Sequence, residues 1–108
     1  MNKFESVILY SPNISTSDIK KQDSDFKKQI SKMNGVFVDQ EDWGLRDLSY
    51  NIGKNKKAFF RFFQIEIDGS KIQEIKKSLT QNEQIIRHLF IKVEKHEELP
   101  TKLLKTEN

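Results

Sequence analysis

The chain has 108 residues, a length typical of one domain with a single hydrophobic core. It contains no cysteine, which excludes disulfides, thiolate zinc sites and cysteine nucleophiles and agrees with a reducing cytoplasm. The net charge of +3 is a mild basic excess that is compatible with nucleic acid, and neither a secretory signal pattern nor a membrane-spanning apolar run is expected from the sequence.

A strand over residues 4–10 and a helix after it are the first predicted elements. The strand is rich in aromatic and β-branched side chains, and its continuous apolar run indicates a central position covered on both faces. A hydroxyl side chain at positions 15–17 can cap the helix, and Asn34 and Gly35, which tolerate a left-handed backbone, predict its end. One apolar stripe recurs along this helix at helical spacing: Ile19, Phe26, Ile30 and Met33.

A second strand is predicted over residues 36–52, far longer than the usual strand of about five or six residues. A bulge near Gly44 explains how so long a strand fits into a sheet. Residues 53–57 predict a hairpin turn, because Gly53 and Asn55 tolerate the backbone angles of a tight reversal.

Opposite charges gather at the two ends of this hairpin. Acidic side chains lie at Asp39, Glu41 and Asp42, whereas Lys54, Lys56, Lys57 and Arg61 surround the turn. The lysines are candidates for phosphate contacts, and the separation of charge suits a domain that faces both a polyanion and a basic protein.

The third strand, residues 58–67, carries aromatic side chains on both faces. Strand alternation divides its residues into two sets. Phe59, Phe63, Ile65 and Ile67 share one face, and Phe60, Phe62, Gln64 and Glu66 share the other.

The last predicted elements are a helix over residues 72–79 and a strand over residues 85–93. Beyond Lys95 the sequence is polar and offers little apolar surface for folding. We therefore expect a domain over residues 1–95 and a flexible C-terminal tail over residues 96–108.

The order strand, helix, strand, strand, helix, strand predicts an α+β fold of the ferredoxin-like or split βαβ type (βαββαβ). Both helices then pack on one face of a four-stranded antiparallel sheet, with the first and third strands in the middle. The other face of the sheet has no helices. We expect Phe60 and Phe62 to form an exposed aromatic patch there, and such patches are usually binding sites for a partner.

Residues 44–52 read GLRDLSYNI and resemble the signature of the bacterial small-subunit ribosomal protein S-six family at all nine positions. The family pattern is glycine, any residue, a basic residue, a polar residue, leucine, a small residue, tyrosine, any residue and isoleucine. Gly53, the next residue, departs from the basic, polar or small side chain usual there. The resemblance extends over roughly residues 3 to 95.

The resemblance implies a non-catalytic constituent of the small subunit that binds the central domain of its ribosomal RNA as a heterodimer with ribosomal protein S-eighteen. It also implies RNA contacts from basic residues at family positions. Together with the lysines of the turn, the candidate RNA-binding residues are Lys3, Lys54, Lys56, Arg87 and Lys92. Arg87 is informative because it interrupts an apolar strand and needs solvent, an acid such as Glu5 or Glu66, or a phosphate.

The partner surface is predicted at the sheet edge before the turn and on the open face. Large aromatic side chains are common anchors of interfaces, and the alternation of the second strand presents basic and aromatic side chains together. The candidate residues are Trp43, Leu45, Arg46, Leu48, Tyr50, Phe60 and Phe62. Trp43 and Tyr50 suit a place in the core as well.

Two other functions remain open on the sequence alone. One is a single-stranded RNA-binding module that stacks bases on Phe60 and Phe62, although the glycine of the RNA recognition motif is missing at this strand. The other is a regulatory dimer outside the ribosome. No phosphate loop, metal-ligand spacing or nucleophile motif supports an enzyme, so we expect no catalysis, cofactor, metal, membrane or small-molecule substrate.

Overall fold

The computed structural model describes residues 1–99. Its strands are β1 (Asn2–Tyr10), β2 (Val36–Ile52), β3 (Asn55–Ile67) and β4 (Ile85–Val93). Its helices are α1 (Thr16–Lys32) and α2 (Ile72–Thr80), and a single 3-10 turn (Gly69–Lys71) leads into α2. The predicted element order is confirmed, and β3 begins earlier than expected because the turn after Ile52 is tight.

The four strands form one antiparallel sheet in the order β2-β3-β1-β4. The ferredoxin-like α+β fold is therefore confirmed, with the first and third strands in the middle of the sheet. In the central strands, Phe4, Ile8, Phe63 and Ile65 point to the helices and are buried. Their neighbours of opposite parity point to the second face, which we call the open face.

Local sequence signals set the ends of α1. The Oγ atom of Ser15 accepts a hydrogen bond from the backbone N–H of Asp18 at 3.1 Å and caps the helix. Asn34 has a φ of 61°, the left-handed conformation that ends the helix. Gly35 follows in a tight position, since a Cβ atom there would lie 3.0 Å from the backbone oxygen of Glu66 on β3.

The core lies between the helices and the sheet. Its buried residues are Phe4, Ile8, Tyr10, Ile14, Ile19, Phe26, Ile30, Phe63, Ile65, Ile67, Ile72, Ile75 and Leu79. Burial raises the pKa of Tyr10, and the nearby Asp23 carboxylate raises it further. The apolar stripes predicted for both helices thus pack against the sheet.

Arg61 does not join the basic cluster at the hairpin turn, and that part of the charge prediction is wrong. Its position in β3 shares the face of Phe59 and Phe63, so its side chain points to α1 and is buried. There it forms an ion pair with Asp23, and its Nη1 atom lies 3.0 Å from Oδ2 of Asp42. Burial raises the pKa of Asp23, against the opposing effect of Arg61.

The chain after β4 turns back onto the open face. The backbone N–H of Glu97 donates to Oε2 of Glu5 at 2.8 Å, and the side chain of Gln64 donates to the Glu97 carbonyl oxygen at 2.7 Å. His96 lies beside the same carboxylate, with Nδ1 3.5 Å from Oε2. Residues 96 and 97 of the predicted tail thus contact the sheet, and residues 100–108 lie outside the described part of the chain. Among residues 1–99, no helix is long and apolar enough to cross a membrane.

Candidate protein and nucleic-acid interface on the open face

A bulge in β2 turns Trp43 onto the open face. Asp42 pairs with Arg61 and Gly44 with Phe60, so Trp43 is the extra residue between them. Gly44 has a φ of 77°, which a residue with a side chain rarely adopts. The bulge predicted near Gly44 is therefore present.

Several contacts hold Trp43 in place. Its indole N–H donates to Oε1 of Glu41 at 2.9 Å, and its carbonyl oxygen accepts from Nε of Arg46 at 2.8 Å. Its ring stacks on Phe62, with centroids 5.1 Å apart and planes inclined by 9°. Such a stack combines apolar burial with a favourable ring geometry.

The expected exposed pair of Phe60 and Phe62 is not what the open face presents. Phe62 is only 5% exposed because the indole of Trp43 covers it, and Phe60 is half-buried. The exposed apolar surface comes instead from Tyr50, which is 86% exposed, and from side chains of β4 such as Leu89 and Ile91. A platform of two free phenylalanine rings for base stacking is therefore absent from this face.

An apolar groove of about 510 Å³ lies between the sheet and the projecting end of β2. The central and edge strands supply its floor, the hairpin supplies its wall, and Arg87 stands at its margin. Its lining residues are Val7, Leu9, Trp43, Asp47, Leu48, Ser49, Tyr50, Asn51, Ile52, Phe60, Arg87 and Leu89. A concave surface of this composition suits an apolar anchor from another polypeptide.

The predicted partner residues fall into three groups in the structure: residues that line the groove, residues that hold Trp43, and one residue on the opposite face. Trp43, Leu48, Tyr50 and Phe60 line the groove, and Phe62 supports Trp43 from below. Arg46 holds the Trp43 carbonyl oxygen. Leu45 is exposed, but it pairs with Phe59 and thus belongs to the opposite face of the sheet.

Sequence reasoning missed the part of the groove that β1 and β4 contribute. Val7 pairs with Leu89 across β1 and β4, and Leu9, two residues after Val7, lies on the same face, so all three face the groove. A signal was available for β1, since its apolar run on both parities predicts side chains on both faces. Prediction of the position of Leu89 would have required the pairing register between β1 and β4.

Two of the predicted RNA-binding lysines lie together at the hairpin turn. Lys54 and Lys56 are exposed and line a cleft with Lys57 and with Asn13 of the loop after β1. Lys57 also forms a surface ion pair with Asp47, with Nζ and Oδ1 3.8 Å apart. Lys54 and Lys56 thus offer two ammonium groups at one end of the molecule.

Arg87 is exposed on the open face, where it pairs with Leu9 near the same end of the sheet. Its guanidinium forms no ion pair with another residue in positions 1–99, and Glu5 is engaged elsewhere by Gln64 and Glu97. The structural salt bridge to Glu5 that the sequence left open is therefore not formed. Arg87 lies beside the groove and is free to meet an external anion.

Lys3 and Lys92 are not part of this cluster. Lys3 pairs with Glu66 and Val93 at the far end of the sheet, about 20 Å from the level of Leu9 by the usual rise of a strand. Lys92 pairs with Phe4 and has the parity of the helix side. The five predicted cations therefore cover two separate ends of the domain.

His88 lies on the helix side of β4, where it has a structural contact. His88 accepts from or donates to Oγ1 of Thr80 at 3.2 Å, and burial, with Lys76 nearby, lowers its pKa. No group of three or more metal-ligating side chains occurs within residues 1–99. Neither observation points to catalysis at His88.

Comparison with known proteins supports the fold and identifies the family. The family model described as Ribosomal protein S6 matches residues 3–92. Small ribosomal subunit protein bS6 of Rickettsia felis is 39% identical over 108 residues, covering 100% of this chain and 89% of that protein, and its namesake from Rickettsia prowazekii is 38% identical over the same shares. The crystal structure of 30S ribosomal protein S6 from Thermotoga maritima aligns with a TM-score of 0.80 and 22% identity, covering 85% of this chain and 87% of that one.

The family model covers residues 3–92, and the 39% identity extends over the full chain and most of the relative. The chain therefore belongs to the ribosomal protein S-six family and is a structural, non-enzymatic constituent of the small ribosomal subunit.

Proposed function

We propose that this protein forms a heterodimer with ribosomal protein S-eighteen through the groove on the open face, and that the pair binds the central domain of small-subunit ribosomal RNA in the cytoplasm. The observation that carries the proposal is the apolar groove bordered by Arg87. It brings a protein-binding surface and a phosphate-binding cation to the same end of the sheet.

The composition of the groove favours a protein over a nucleic acid as its occupant. Its apolar lining includes Leu9, Leu48 and Leu89, which offer no hydrogen bonds to bases. Tyr50 adds a large exposed ring with a hydroxyl group, a side chain that frequently anchors interfaces.

The charge around the groove favours a basic partner. Asp47 lines it, and the side chain of Asp47 is 85% exposed. Glu41 pairs with Phe62, which places it on the open face of β2 beyond Trp43. A basic partner would meet these carboxylates on one side and carry its own cations to the RNA on the other.

The RNA contribution of this chain rests on few cations. Lys54 and Lys56 lie at the hairpin turn and Arg87 at the groove margin, near one end of the sheet, whereas Lys3 and Lys92 lie apart at the far end. Each neutralised phosphate adds a salt-dependent increment to affinity. So few contacts give weak binding by the isolated chain, and tight binding requires the cations of the partner.

Calorimetric titration of purified S-eighteen into the full chain tests the docking surface. We expect Tyr50→Ala to raise the Kd about tenfold or more, as truncation of an anchor does, while leaving the fold intact. Leu45→Ala is the matched control, since Leu45 is an exposed β2 residue on the opposite face. Equal effects of the two changes would contradict the docking surface, and so would tight binding of unstructured RNA by the isolated chain that Phe60→Ala abolishes.

A further inference from the structure

The bulge that presents Trp43 to the groove is fixed from the other side of the sheet. Asp42, the residue before Trp43, belongs to the helix side because it pairs with Arg61. Its side chain is 63% exposed, yet both of its oxygens have defined partners. It therefore connects the buried side of the sheet with the bulge.

The two carboxylate oxygens of Asp42 do different things. Oδ1 accepts from the backbone N–H of Gly44 at 2.8 Å, which closes the bulge around Trp43. Oδ2 lies 3.0 Å from Nη1 of Arg61. The first contact sets the local backbone, and the second ties it to a side chain that cannot move freely.

The side chain of Arg61 has a fixed position because it is buried and paired with a residue of α1. Its other terminal nitrogen binds Asp23 of α1, and only 11% of each of these side chains is exposed. A guanidinium that is paired on two sides has little rotamer freedom left. Arg61 therefore links the side chain of Asp42 to α1.

We infer that Asp42 is a positioning residue for docking: it transmits the fixed place of Arg61 to the bulge and so holds Trp43 over Phe62 as part of the groove. The inference rests on the proposed docking function. Asp42 itself does not line the groove, so any effect of its removal on docking must pass through Trp43. Glu41 and Arg46 hold the indole and the carbonyl group, and Asp42 sets the backbone between them.

Trp43 is the only tryptophan of the chain, so its fluorescence reports its own surroundings without interference. We expect Asp42→Ala in the full chain to shift the emission to longer wavelength and to reduce the near-ultraviolet circular dichroism of the stacked rings. The Kd for S-eighteen should rise about fivefold to tenfold. Asp42→Asn, which keeps an acceptor for Gly44 but loses the charge that Arg61 binds, should give an intermediate spectrum.

Asp39→Ala is the matched control. Asp39 is another exposed β2 aspartate, and its Oδ1 atom accepts from the adjacent backbone N–H of Gln40. Neither its spectrum nor its Kd should differ from those of the unaltered chain. An unchanged emission spectrum in Asp42→Ala, or a changed spectrum with unchanged Kd, would overturn the inference.

The two hypotheses can fail separately. If the unaltered chain does not bind S-eighteen, the proposed function is wrong whatever the spectra show. If the unaltered chain binds and Asp42→Ala behaves like the Asp39→Ala control in both measurements, only the positioning role is wrong.

Discussion

The carboxylate of Asp23 on α1 and the guanidinium of Arg61 on β3 form an ion pair below the surface, and only 11% of each side chain is exposed. Their burial costs solvation of both charges, which the pairing and the second contact of Arg61 with Asp42 offset. The pair connects the first helix to the centre of the sheet.

Removal of one member of this pair should be strongly destabilising. Asp23→Ala leaves the Arg61 charge buried with Asp42 alone, and we expect the free energy of unfolding to fall by about 3 kcal/mol. Urea denaturation measures the change. Replacement of both members, Asp23→Leu with Arg61→Met, should recover most of the loss, because no charge is then left buried. A change below about 0.5 kcal/mol in Asp23→Ala would contradict the assignment.

Trp43 should contribute to stability as well as to docking. Trp43→Ala removes the stack and uncovers Phe62, and we expect a loss of about 2 kcal/mol, less than for a fully buried tryptophan. Tyr50→Ala is the control, since its side chain is almost wholly exposed. It should change the free energy of unfolding by less than about 0.5 kcal/mol. Equal losses would show that the stack is not formed in solution.

Replacement of Gly44 or of Gly35 by alanine should lower the stability of the protein, for a different reason in each case. Gly44→Ala meets no neighbour within 4 Å but forces an alanine into a positive φ, at a cost of about 1 kcal/mol. In Gly35→Ala the new methyl group would lie 2.9 Å from Cγ2 of Ile30 and 3.0 Å from a backbone oxygen, so the junction of α1 and β2 must shift. The expected cost is about 2 kcal/mol. Thermal denaturation distinguishes the two, and a neutral Gly35→Ala would contradict the packing there.

His88 should make the protein less stable as the pH falls. Its pKa is lowered from 6.5 in the folded state, first by burial and then by Lys76. The unfolded chain therefore binds more protons below that value, so stability rises with pH through the window between the lowered pKa and 6.5. His88→Gln should weaken the pH dependence of the urea midpoint between about pH 7.5 and about pH 5.5. An unchanged profile would contradict this.

The hairpin lysines should control RNA binding by charge. Lys54→Glu with Lys56→Glu should reduce the affinity of the S-eighteen complex for central-domain RNA, and the salt slope should fall by about one to two. Lys28→Glu with Lys32→Glu is a control that changes the net charge equally on the exposed side of α1. Filter binding over a range of salt concentrations gives both slopes. If both variants bind equally well, the hairpin turn does not contact phosphate.

Most of the fold could be predicted from the periodicity of apolar residues and from the glycine and asparagine residues at helix ends and turns. The bounds of β4 follow from its apolar run, and the bulge near Gly44 follows from the length of β2. Strand parity also predicts which face a residue of β3 occupies. By that same rule Arg61 lies on the face of Phe63, so its burial could have been predicted. The nearby lysines instead suggested that Arg61 belongs to the basic cluster at the turn.

What covers a side chain could not be predicted in the same way. Parity places Phe62 on the open face correctly, but its burial depends on the indole of Trp43, which arrives there through a one-residue bulge. A bulge changes the parity of all that follows, so its exact position decides which side chains meet. The return of residues 96 and 97 to Glu5 is equally a long-range contact without a local signal.

The strand order has a consequence for how the protein is made. β1 is the first strand to leave the ribosome, yet its two neighbours are β3 and the final strand, β4. Its backbone groups on one side stay unpaired until residues 55–67 have been translated, and on the other until residues 85–93 have followed. The sheet therefore closes only near the end of synthesis, and nascent chains that stall between β3 and β4 expose one unpaired flank of an apolar strand to neighbouring molecules.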